Sequence, residues 1–380
     1  MKPRILLILL SVTLAVSLLG FITFLRHTPR AQVPVSATSE DGAPDITEAN
    51  SYAAAVKKVQ SEPSVSYQVG TATPQFVVLS FDGSKSIDML NETLAFQKKL
   101  QQEGKLLHFT YFVNAAYFLT KETSTLYQAP KEKLGVSNIG FASSSADIAL
   151  RVKTFNTAVL RGNEIGSHTV GHFNGASWSY ENWKQEFDSF TSLLTNVQKN
   201  NPSASIEAPH FTEHILGFRA PNLGVDDVLY KALSDFHFTY DASGVGGMSK
   251  WPFKDSYGIW HVPLGTIAIG EKKRPVVAID YSLWAHQSNL KNNAVKGTPL
   301  WNTHYDEVVK AYMDYFTTNY GGSRAPIVIG DHFTKWNDGL YWEALKTFAE
   351  NVCGKPEVHC VTFSELVDYL NTKGPPQTKK

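Results

Sequence analysis

An excess of charge of either sign is missing from this 380-residue chain: 35 Lys and Arg are balanced by 35 Asp and Glu. The balance offers no electrostatic footprint for nucleic acid or an acidic partner, so no nucleic-acid partner is expected. Internal repeats and long low-complexity runs are also absent. Cysteine is scarce, with only Cys353 and Cys360, in "VCGKPEVHC". Six residues separate them, including Gly354 and Pro356, a spacing that suits a short turn closed by a disulfide. The alternative is two unpaired thiols. A bridge there would contribute on the order of 2–3 kcal/mol and would persist only outside the cytosol. Long apolar runs are missing too, with one exception at the start.

That exception is Ile5 to Leu25, 21 uncharged residues after Lys2 and Arg4. About 20 apolar residues suffice for a helix to cross a bilayer, whereas a cleaved signal has an apolar core of roughly 7–15 and a small-residue cleavage site. No convincing Ala-x-Ala signal follows. Residues 1–30 are therefore expected to be a signal anchor held in the membrane, with secretion as the outcome if the segment is cleaved. Arg26 and Arg30 on the far side leave its orientation open. Residues 31–74, rich in Ala, Ser, Thr, Pro and acidic side chains, read as a flexible tether with a short helix around Ser51–Gln60. The anchor and the disulfide together place the body of the protein outside the cytoplasm, in the periplasm if the cell is Gram-negative.

From residue 75 to about 372, short apolar runs alternate with amphipathic segments. Strands are expected at Phe76–Phe81, Leu107–Val113, Glu164–Ser167, Ile215–Phe218, Phe238–Tyr240, Ile259–Pro263, Val276–Ile279 and Pro326–Ile329. Helical stripes recur at Ile87, Leu90, Leu94 and at Trp183, Phe187, Phe190, Leu194. Helices are also expected at Asp338–Val352 and at Ser364–Leu370, with Ser364 and Glu365 at the start of the second. Strand then helix, repeated, means a parallel α/β sheet with right-handed crossovers, in one domain. Residues 373–380 read as a disordered tail.

Polar groups with chemical potential fall just after these strands. "VVLSFDGS" ends an apolar strand on Asp82 and follows it with Gly83, whose freedom lets the backbone turn sharply. "NEIGSHTVGHFNG" carries His168 and His172, close enough in sequence to share a metal ion. Asp82 is the candidate third ligand. "GFRAPN" supplies Arg219, whose charge beside Asp82 would keep the carboxylate ionised, and "FTYDASG" places Asp241 where it would hold Arg219 in turn. "IVIGDHF" ends the last strand on Asp331 and His332, a proton donor for a departing amine. Trp260, Trp284 and Trp336, with Tyr281, offer flat faces for a sugar ring, or simply core.

The order of these motifs resembles the polysaccharide deacetylases, the NodB-homology enzymes of carbohydrate esterase family four. Ser80-Phe81-Asp82-Gly83 is similar to the family's first motif, Thr-Phe-Asp-Asp. His168-Thr169-Val170-Gly171-His172 matches the second, Arg219-Ala220-Pro221 the third, Asp241 the fourth and His332 the fifth. The resemblance spans roughly residues 75 to 370. It implies a deformed (β/α) barrel of seven or eight mostly parallel strands. It also implies a hydrolase that removes N-acetyl groups from a glycan, such as peptidoglycan or an exported polysaccharide. The expected catalytic residues are Asp82, His332, Arg219 and Asp241, and the expected metal ligands Asp82, His168 and His172. Zinc is the first expectation for the ion, with cobalt, nickel or manganese as alternatives. Substrate contacts are expected from Asn222, near which backbone N–H groups would hold an oxyanion, and from Trp260 and Trp336.

One departure matters. In the family the first Asp of the pair acts as base and the second binds the metal, but here Gly83 stands in the second place. Either Asp82 is the base and another carboxylate binds the metal, or Asp82 is the ligand and the base is displaced; Asp88, Asp280 and Asp331 are the possible substitutes. A further alternative is a catalytically inactive glycan-binding protein that keeps the cleft. A structural envelope protein with fortuitous motifs is the third.

Overall fold

The computed structural model describes residues 46–61 and 73–378; the expected anchor at residues 1–30 lies outside the described residues. Among the described residues no helix is long and apolar enough to cross a membrane.

A curled sheet of parallel strands forms the centre. Its main run of eight strands follows the order β11-β1-β2-β3-β4-β5-β8-β7. These are β1 (Gln75–Asp82), β2 (Phe109–Val113), β3 (Glu164–Ser167), β4 (Gly217–Phe218), β5 (Tyr240–Asp241), β7 (Phe253–Lys254), β8 (Trp260–His261) and β11 (Ile327–His332). All neighbours in the run are parallel except β7 and β8. A ninth strand, β12 (Val358–Cys360), pairs with the start of β1. A second sheet, β10-β9-β6, holds Arg274–Val277, Leu264–Ile269 and Val245–Gly246. The two sheets meet at one parallel bridge between Ile279 and Gly330, where the Gly330 amide donates to the Ala278 carbonyl at 2.9 Å. A side chain at Gly330 would collide with Ile279. The fold expected from the sequence, a deformed barrel with parallel strands, is the one observed.

Every residue of β1 is buried, as expected of a strand covered on both faces. The helices that cover the sheet are α2 (Ile87–Gln102), α3 (Ser145–Leu160), α4 (Tyr180–Thr195), α5 (Asp227–Asp235), α6 (Asp280–Ser288), α7 (Pro299–Tyr320), α8 (Trp336–Val352) and α9 (Phe363–Lys373). The expected stripe on α4 is its buried face: Trp183, Phe187, Phe190 and Leu194. Helix α9 starts earlier than Ser364 and Glu365 suggested, because Thr362 caps it and Glu365 reaches back to the Thr362 amide. Strand β9 and the 22-residue helix α7 have no counterpart among the sequence-based expectations.

Within the stretch expected to be a flexible tether, Ile46–Ser61 forms a helix, α1. Tyr52 and Val56, four residues apart on one face, are buried, and that apolar pair is what docks the segment. The helix packs against β10, β6, the turn at Pro221–Leu223 and α6, and Tyr52 lies 6.2 Å from the ring of Tyr281.

Cys353 and Cys360 are joined by a disulfide. It ties the end of α8 to β12, and so to the first strand of the sheet. Reduction, or Cys353→Ser, should cost about 2–3 kcal/mol and lower Tm by several degrees in a thermal melt; a melt unchanged by reductant would show that the bridge contributes nothing.

Candidate active site

The carboxyl ends of the parallel strands converge on one region, as ligand sites in such folds do. Asp82 ends β1 and stands in register with His332 at the end of β11. His168 follows β3, Arg219 follows β4, and Asp280 opens α6 just beyond β10. All five side chains are at most 3% exposed.

Arg219 is the hub. One of its Nη1 bonds goes to Asp82 Oδ1 at 2.7 Å and another to the Ser80 hydroxyl at 3.0 Å. Its Nε donates to the Ala242 carbonyl at 3.1 Å, and its guanidinium lies 4.4 Å from the centre of the Phe112 ring. The ion pair expected between Arg219 and Asp82 is therefore present, spanning the interior from β4 to β1. Asp241 does not hold Arg219. It accepts from the Ser243 amide at 3.1 Å and from the Ser243 hydroxyl, and it faces His261 at 3.6 Å. The fixed path of β5 gives Arg219 the neighbouring Ala242 carbonyl instead. Asp241 acts at one remove, since the Ser243 hydroxyl it fixes accepts from the Ala220 amide at 2.8 Å, next to Arg219.

His332 forms the second ion pair. Its Nδ1 meets Asp280 Oδ1 at 2.6 Å, and Asp280 Oδ2 accepts from the His332 amide at 2.9 Å. Nδ1 is thus committed, and proton transfer at this imidazole belongs to Nε2. Burial pushes the Asp280 carboxyl up, but the His332 charge and the hydrogen bonds around it outweigh burial and hold it below the usual carboxylate range. Asp331 behaves oppositely: burial, then the charge of Asp280, push it well above its ordinary value. Neither joins His168 and His172 in a three-ligand cluster among the described residues, so neither replaces the absent second Asp as a metal ligand. Asp88 does not either, because it is exposed on the first turn of α2.

His168 and His172 are neighbours, with ring centroids 4.9 Å apart. His168 Nδ1 donates to the Arg219 carbonyl at 2.7 Å, so Nε2 is the atom that a metal would meet. His172 Nε2 is buried with no hydrogen-bond partner among the described residues. These two imidazoles would supply two ligands to a divalent ion. A third protein ligand is lacking, because among the described residues no three His, Cys, Asp or Glu side chains converge on one point. Asp82, expected as the third, is turned to Arg219.

The aromatic residues divide. Trp336 stacks on Trp284 at 4.6 Å and lies 5.3 Å from the His332 ring, with Tyr281 completing the wall. Trp260, by contrast, donates its indole N–H to Asn371 on α9 at 2.8 Å. Its indole is committed to α9 and not to the wall formed by Trp284 and Trp336. Asn222 is buried in the turn after Arg219 with φ 54°.

Two buried groups escape sequence reasoning. Arg151 on α3 donates to the carbonyls of Ser84 at 2.8 Å, Lys85 at 2.7 Å and Tyr117 at 2.9 Å, pinning the turn after Asp82. Asn114, after β2, donates its side-chain amide to the His168 carbonyl. Both lie where the chain carries no recognisable motif; only their place beside strand ends marks them.

No family model and no curated protein matches the chain. Solved structures do. A polysaccharide deacetylase candidate from Mycobacterium smegmatis is 14% identical, with 84% of this chain and 98% of that one covered and a TM-score of 0.48. A family 4 carbohydrate esterase from Streptomyces lividans, in complex with acetate, is 14% identical, with 80% and 98% covered and a TM-score of 0.39. A family 4 pseudoenzyme from Bacillus anthracis is 11% identical, with 79% and 67% covered and a TM-score of 0.40.

Two tests bear on the site's electrostatics. Arg219→Ala leaves Asp82 buried and unpaired and should cost about 3–5 kcal/mol, read from a urea midpoint; a loss below about 1 kcal/mol would show a pair of surface strength. His261 sits between Asp241 and Asp255, 3.0 Å from the latter. Burial lowers its pKa, yet the two carboxylates outweigh burial and raise it above 6.5. A base raised in the folded state stabilises fully below about pH 6.5, and that stability fades as pH rises through the folded pKa. His261→Gln should therefore flatten the fall of Tm above about pH 6.5, and an unaltered slope would refute the assignment.

Proposed function

We propose that the chain is a hydrolase that removes N-acetyl groups from a glycan outside the cytoplasm, peptidoglycan or an exported polysaccharide being the substrate class. The observation that carries the reading is the pairing of two buried acid–base sets on one strand end: Asp82 with Arg219, and His332 with Asp280. Their environments differ, and so do their roles. Arg219 fixes the Asp82 carboxylate at 2.7 Å, and Asp82 would take a proton from an attacking water. Asp280 orients His332 and supports its charged form, so that Nε2 can protonate the departing amine. Main-chain N–H groups of the turn at Asn222 are the candidate donors to the developing oxyanion. Trp336 lies beside His332, where its 3% exposed edge is the part a sugar ring would meet. His168 and His172 would hold the divalent ion, zinc or else cobalt, nickel or manganese, and an ion there supplies Lewis acidity toward the acetamide carbonyl and a more acidic water. The disulfide supports an oxidising, extracytoplasmic location, with the 1–30 segment as the membrane anchor.

A second reading has an observation of its own. Gly83 and the lack of a three-ligand cluster among the described residues favour a glycan-binding protein that keeps the cleft without turnover.

Acetate release from N-acetylglucosamine oligomers and from peptidoglycan, with Zn2+ or Co2+ supplied, separates the two. Release that stops with chelator, and that falls about 10²–10⁴-fold in Asp82→Asn and His332→Ala, is the expected result. If the metal-loaded protein releases no acetate from any of these glycans while still binding them, the binding reading replaces the enzymatic one. Gly83→Asp should tighten Zn2+ binding in a competition titration; unchanged affinity would show that position 83 does not face the ion.

A further inference from the structure

The chain between the two imidazoles is held in an unfavourable conformation. Thr169 and His172 both adopt positive φ, 64° and 58°. For a β-branched residue such as Thr169 this is an outlier, at a cost of order 1–3 kcal/mol, and it persists only where the surroundings over-determine it. The surroundings here include one buried carboxylate from another element. Glu186, on α4 and wholly buried, accepts from the Val170 amide at 2.8 Å. The Tyr127 hydroxyl donates to the same carboxylate, lying 2.9 and 3.1 Å from its two oxygens. Tyr127 in turn crowds Gly171 so closely that a side chain there would meet its ring and hydroxyl at 2.8–2.9 Å.

The strained loop, the buried acceptor and the tyrosine behind it form one device. We infer that Glu186, backed by Tyr127, is a positioning residue that clamps the loop carrying His168 and His172 and sets the approach of their ring nitrogens to a shared divalent cation. The inference rests on the reading of those two residues as metal ligands. Glu186 meets the Val170 amide between the two imidazoles, and burying a carboxylate is an expensive choice unless its hydrogen bonds hold something in place. Outer groups of this kind typically tune metal affinity by 10–100-fold.

The test uses the full chain titrated with Co2+, followed by the cobalt absorption band, with CD and Tm recorded in chelator for every variant. Glu186→Ala and Tyr127→Phe are compared with Glu186→Gln, whose amide oxygen can still accept from the loop. The expected result is a 10–100-fold loss of Co2+ affinity in Glu186→Ala, a smaller loss in Tyr127→Phe and partial rescue in Glu186→Gln, with far-UV CD retained. Unchanged affinity in a folded Glu186→Ala overturns the inference. If that variant does not fold, the Tyr127→Phe and Glu186→Gln pair decides, and unchanged affinity in both overturns it. Failure of the metal reading itself looks different, because the wild-type protein then binds no Co2+. In that case ¹⁵N-imidazole NMR decides: signals of His168 and His172 that move in Glu186→Gln while those of His261 stay fixed support the clamp, and an unmoved His168–His172 pair overturns it.

Discussion

A guanidinium buried in the middle of a barrel has to be neutralised where it stands, and the surrounding structure follows from that constraint. Arg219 reaches from β4 toward β1, with its charge met by Asp82 and its remaining contacts supplied by Ser80, Ala242 and the Phe112 face. Taking both charges out of water costs several kcal/mol for each ion, and good geometry is what offsets it. Its own carbonyl fixes His168. One residue therefore couples the carboxylate on the first strand to the imidazole beyond the third.

The second acid–base set is arranged on the same plan with the signs exchanged. There the carboxylate of Asp280 orients the imidazole and the main chain of His332. Register explains how the two sets come to face each other: Asp82 and His332 are partners on adjacent parallel strands, a few ångströms apart as sheet spacing dictates. A slip of one residue between β1 and β11 would turn one of them out of the interior. The bridge from Ile279 to Gly330 guards that register, because it joins β11 to the residue before Asp280.

Much of this was legible in the chain. Apolar runs that stop at Asp82, at Ser167 before His168, at Phe218 before Arg219 and before His332 marked both the strands and the strand ends. Side-chain pairing was less legible, because it depends on which interior face each residue meets. Asp241 and Asp280 illustrate this. Both follow short apolar runs, and sequence alone assigned the first to Arg219 and left the second as a spare carboxylate, whereas the fold gives Asp280 to His332. Trp260 looked like Trp336 in sequence; the fold commits its indole N–H to Asn371 on α9 instead. Glu186 was invisible in another way, since it lies on the buried stripe of an amphipathic helix where an apolar residue would be the ordinary choice.

The docking of α1 carries a consequence for where the folded body begins. Tyr52 and Val56 belong to the packed interior, so the globular unit starts upstream of its first strand. A fragment cut at residue 75 would strip the cover from the apolar wall around Tyr281 and leave a sticky, water-exposed surface where the intact chain has a finished one.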